Sequence, residues 1–100
     1  MVIEQLDKTY EQLKTLRNKA ATQEEFDKIR SQMDKINLQR QSIIGVSINE
    51  ATEEYKAATA EIKQAQPLIE SAIKDLNKIA DAIQKVSKVI SQVEKVLVKV

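Results

Sequence analysis

From Ile44 to the last residue the chain reads IGVSINEATEEYKAATAEIKQAQPLIESAIKDLNKIADAIQKVSKVISQVEKVLVKV. Apolar residues recur in it at alternating steps of four and three: Ile44, Ile48, Ala51, Tyr55, Ala58, Ile62, Ala65, Ile69, Ala72, Leu76, Ile79, Ile83, Val86, Ile90, Val93, Leu97 and Val100. That spacing puts one apolar side chain after another along a single face of an α-helix, with coiled-coil-like heptads. Toward the N-terminus the pattern continues in other frames. Ile3, Leu6, Tyr10 and Leu13 form one run, and Phe26, Ile29, Met33, Ile36 and Ile43 another, with Arg40 at its one polar step. The stripe slips by one residue at Ile43/Ile44.

Composition agrees with helix. The chain has one Gly, one Pro and three aromatics in 100 residues, whereas sheet proteins need turn residues every 8–12 positions or so and favour aromatic strands. The expected fold class is all-α: an antiparallel up-down helical bundle of three or four long amphipathic helices. One hundred residues suit one helical domain.

Capping chemistry divides the helices. Thr22-Gln-Glu-Glu25 reads as a capping box, in which the Thr hydroxyl accepts from the Glu25 amide. Ser47-Ile-Asn-Glu50 reads as a second, preceded by Gly45, the one residue free to take a left-handed helix end. Gln66-Pro67 supplies a third break, because Pro lacks an amide donor and suits a first helical turn. The predicted helices are about 2–20, 23–44, 48–65 and 67–99. Residues 45–47 leave two versions open, since a helix can also run through Gly45 at a cost of roughly 1 kcal/mol. Short links at 20–22 and 65–67 make successive helices antiparallel neighbours.

The heptads also predict how helices meet. Ala51, Ala58, Ala65 and Ala72 share one heptad position, opposite the larger Ile48, Tyr55, Ile62 and Ile69. Small residues in alternate layers let two helices approach closely. In the last helix Leu68, Ala82, Val89 and Val96 lie beside the main stripe, so its apolar face is broad enough for a bundle core or a partner's groove.

Several functions are excluded. Without Cys or His there is no disulfide, no thiol or imidazole catalysis, no Cys/His zinc site and no Glu-x-x-His di-iron motif. Sixteen basic against fifteen acidic residues leave a net charge of +1, which gives no basic footprint for nucleic acid. No Gly-rich loop cradles phosphate. The acidic clusters Glu24, Glu25, Asp27 and Glu50, Glu53, Glu54 fall in the first turns of predicted helices, where they complement the helix dipole. No enzyme, cofactor or metal is expected.

Elimination points to a non-enzymatic protein–protein interaction module of adaptor or inhibitor type. The candidate partner contacts are Arg17 and Arg40, which stand where apolar residues are due, together with Leu68, Val89 and Val96. The two arginines either pair with Glu4 or Asp7 across the first hairpin or line a seam for an acidic partner. Alternatives are a self-assembling helical subunit and a basic amphipathic helix at 82–100 lying on a membrane. The Val and Ile content of 82–100 favours a packed core over a membrane surface. No signal-peptide pattern or apolar run of about 18 residues is present, which gives a cytoplasmic expectation.

The layout, with its length, two helical halves and a Gly-containing break at Ile43-Ile44-Gly45, loosely resembles the WXG100 small secreted proteins. It departs from them in having no Trp and a first half split near Ala21. Neither Tyr10 nor Tyr55 is followed four residues on by an acid. The resemblance implies export without a signal peptide as a further alternative.

Overall fold

The first hairpin forms where the capping box places it. In the computed structural model, which describes residues 2–99 and side chains from Glu4 to Lys99, α1 (Val2–Lys19) turns at residues 20–22 into α2 (Gln23–Ile44). The Thr22 hydroxyl accepts from the Glu25 amide at 3.1 Å. The expected roles of Ile3 and Val100 in the stripes lie outside the described side chains.

The second half departs from the expected boundaries. α3 (Glu53–Lys74) starts five residues later than the Ser47 box implies, with Thr52 as its cap, accepting from the Tyr55 amide at 3.3 Å. Asn49 Oδ1 accepts from the Ala51 amide at 2.9 Å and the Asn49 carbonyl from the Thr52 hydroxyl at 3.0 Å. This closed turn outcompetes a helix start at Ile48. The link is therefore 45–52.

Pro67 does not break the chain; it lies inside α3. It is exposed, so the carbonyl that loses its amide donor is on the solvent side, where water can satisfy it. The real break is Asp75, whose carboxylate accepts from the Asn77 amide at 3.1 Å and opens a 3-10 turn, Leu76–Lys78. α4 (Ile79–Val98) follows directly.

Each hairpin is antiparallel, and the two hairpins lie side by side. α1 packs on α2 and α3, and α4 on α3 and α2, leaving α2 and α3 diagonal to each other. Gln12 meets Gln66 and Glu70, Gln32 meets Ile83 and Ser87, and Gln39 meets Ile90 and Glu94. Residue numbers thus rise together across both inter-hairpin seams, so α1 runs parallel to α3 and α2 parallel to α4. The 45–52 link crosses one end of the bundle. A radius of gyration of 13.2 Å and extents of 39 × 20 × 17 Å match a compact 100-residue bundle, with Gly45 ending α2 rather than sitting within a long central helix.

Leu6, Leu13 and Leu16 of α1, Ile29, Met33, Ile36 and Ile43 of α2, and Ala58, Ile62, Ala65, Ile69 and Ala72 of α3 line the core. α4 adds Ile79, Ala82, Val86, Val89, Val93 and Val96. Ile83, Ile90 and Leu97, which carry the sequence stripe, are only half-buried. α4 needs two apolar stripes because it contacts both α2 and α3, so the breadth of its face is used within the chain. The described residues hold no strand and no helix long and apolar enough to cross a membrane.

Candidate functional site

At one end of the bundle the C-terminal turns of α2 and α4 lie beside the crossing link. There the apolar residues outnumber what the core can cover. Leu38 is 63% exposed, Ile44 74% and Val98 80%, and Val46 is also bare. A solvent-open groove of about 390 Å³ runs between the two helix ends, lined by Leu38, Ser42, Val46, Leu97 and Val98. Leu38 points off its own helix's stripe, and Ile44 and Val98 follow the last buried residues Ile43 and Val96. The exposure thus arises where amphipathic helices run past their core.

The groove's polar floor is hydrogen-bonded across the seam. Gln39, 2% exposed, donates through Nε2 to the Ile90 carbonyl and to Glu94 Oε1, both at 2.9 Å. Its Oε1 has no donor among the described residues. On the far side of Val98 a second hollow of about 410 Å³ is walled by Glu54, Ser91, Lys95 and Lys99. Lys99 reaches Glu54 at 3.7 Å. Acidic groups at the start of α3 and lysines at the end of α4 therefore share this end, where each also complements its helix dipole.

The sequence candidates are scattered rather than gathered here. Arg40 pairs with Asp7 and lies over the Tyr10 ring at 4.8 Å, and Arg17 lies over Phe26 at 5.6 Å. Both guanidiniums clamp the first hairpin from its rim, with their stems over apolar surface. Leu68 is exposed on α3, away from the groove. Val89 and Val96 are buried, because α4 inserts between α2 and α3, and they offer no surface to a partner. The groove residues went unselected because Leu38 and Val98 look like isolated exposed residues; only the parallel alignment of α2 with α4 brings them together.

Elsewhere the polar groups are structural. Lys85 pairs with Glu61 Oε2 at 2.7 Å and donates to Gln64 Oε1 at 2.8 Å, joining α4 to α3. That ion pair supplies the partner of the buried Glu61 oxygen. Among the described residues no three acidic side chains cluster closely enough to hold a metal ion. No protein family matches the chain, and no curated protein or solved structure matches it either.

Proposed function

We propose that this protein acts by binding another polypeptide at the open end of the bundle, as a non-enzymatic helical interaction module of adaptor or inhibitor type. The observation that carries this reading is the groove that Leu38, Val46 and Val98 line, with Ile44 exposed at the same end of the bundle. Isolated exposed apolar residues are ordinary, but a contiguous patch with a polar rim is the usual mark of a contact surface. Ser42, Glu94 and Lys95 provide that rim.

The test is a photo-crosslinking amino acid placed at Ser42, on the groove wall, in the protein expressed in its own host. A discrete crosslinked polypeptide that disappears when Val98→Lys is added supports the reading. Only diffuse background, or the same adduct from a crosslinker at Lys14 on the opposite end of the fold, overturns it.

A further inference from the structure

The bare residues at the open end have a regular relation to the link beside them. Ile44, Ile48, Ala51 and Tyr55 continue the heptad stripe of α3 backwards through the link, although residues 45–52 are not helical. Ala51 is consequently exposed at a position where a helix would turn it inward, and Ile44, the last residue of α2, is exposed as well. The stripes of α2 and α3 differ by one residue in frame. At 100° per residue, however, the mean directions of their buried side chains differ by only roughly 50° if one straight helix joins them. The one-residue slip offsets the drift of a 3.6-residue helix against a seven-residue repeat. A helix running from 23 to 74 would thus present both core faces on nearly the same side.

Such a helix cannot exist in one closed bundle, because α3 must fold back for the hairpins to meet. It pulls the hairpins apart, and each then needs a matching hairpin. The lost hairpin, supplied by a second copy, carries the matching glutamines and apolar layers. We infer that this protein forms a closed two-fold dimer by exchanging hairpins, with residues 45–52 turning from link to helix. This rests on the reading of the open end as a docking surface and names the occupant.

Every inter-hairpin contact is kept in the exchange, now between chains, including Gln32 with Ser87 and Gln39 with Glu94. The two bundles meet end to end, and the apolar residues Ile44, Val46 and Val98 of one copy come against those of the other. Lysines near the end of α4 and acids at the start of α3 make that end self-complementary, as an isologous contact requires. Helix formation through the link gives up the Asn49 turn and the Thr52 cap, but Gly45 does not hold the link in place. Gly45 has φ −89° and ψ 1° and would meet no atom within 4 Å if given a Cβ, so its turn does not depend on glycine.

Light scattering coupled to size exclusion, with small-angle scattering on each peak, tests this on the full chain from about 10 μM to 1 mM. Gly45→Ala fits the closed monomer and favours the long helix; it is expected to raise the dimer-to-monomer ratio about five-fold or more, with an elongated dimer. Ser47→Pro, placed in irregular link, is expected to leave the monomer folded and remove the dimer. In a sample mixing labelled and unlabelled chains, nuclear Overhauser contacts between the Gln32 amide and Ser87 must appear between chains. A Gly45→Ala protein that stays monomeric and compact across the range overturns the inference. So does a dimer whose Gln32–Ser87 contact stays within one chain. If the protein stays a compact monomer and the Ser42 crosslinker captures a different protein, the exchange fails while the binding reading stands; if it stays monomeric and captures nothing, both fail.

Discussion

Where α3 lies on α4 the contact is dry, with Ala58, Ala65 and Ala72 fully buried and the Lys85–Glu61 pair at the rim. Where α2 lies on α4, and α1 on α3, buried glutamines reach across instead. Gln12, Gln32 and Gln39 each donate to a backbone carbonyl and to the side chain one turn further on. Each also leaves an oxygen without a donor among the described residues. Small residues permit close approach and tight burial, whereas a buried amide contributes little net stability and penalises any register that leaves it unpaired. The difference follows the connections. A short turn fixes the register of α3 on α4, but the two hairpins are joined by an eight-residue link, and their parallel alignment has to be set by the seam itself.

The sharpest way to break this contrast is Gln39→Glu. The new carboxylate lies beside the Ile90 carbonyl and Glu94 in place of a donor that both accept from, and we expect a loss of about 3 kcal/mol or more at pH 7 by urea denaturation. Burial and the neighbouring oxygens raise the folded-state pKa of that carboxyl above its unfolded value of about 4.3. The deficit is therefore largest well above the folded value and shrinks as pH falls toward about 4. A deficit independent of pH would mean that the side chain escapes to solvent.

Ala58→Leu addresses the dry seam. Three extra carbons at a fully buried site force the helices apart, and the expected loss is about 1–3 kcal/mol. An unchanged denaturation midpoint would place Ala58 in a slack layer rather than a tight one. Lys85→Met comes next. It keeps the stem but leaves Glu61, whose side chain is 23% exposed, without its cation. Partial exposure moderates the cost to about 1–2 kcal/mol.

These sites were unequally legible in the sequence. Fold class and the first turn were readable because heptads and the Thr22–Glu25 box are local signals of one kind. Pro67 misled because a proline on the solvent face of a helix leaves the same trace as one at a helix start. Asp75-Leu76-Asn77 held the Asx turn that ends α3, and the apolar stripe running through it masked that. The glutamines repeat at seven-residue spacing, Gln5 with Gln12 and Gln32 with Gln39, but their repeat falls beside the apolar stripe, where glutamine ordinarily means solvent. The groove was illegible for a different reason: it exists only because two helices distant in sequence run parallel and end together.

The smallest expected effect is also the most discriminating. Gln32→Met keeps the shape of the side chain, removes an oxygen that has no donor, and leaves both former partners cared for. The Ile83 carbonyl keeps its helical donor, and Ser87 is exposed to water. Stability should stay within about 1 kcal/mol of the parent or rise. The amide's contribution is then visible only in uniqueness. With Gln39→Met as well, the α2–α4 seam keeps its apolar layers but loses the groups that distinguish one heptad register from the next. Amide spectra of that double variant should show peak doubling confined to α2 and α4 while the α3–α4 seam keeps single peaks. A destabilised variant with a single set of sharp peaks would reverse the assignment, making the glutamines a source of stability and leaving the eight-residue link to set the register.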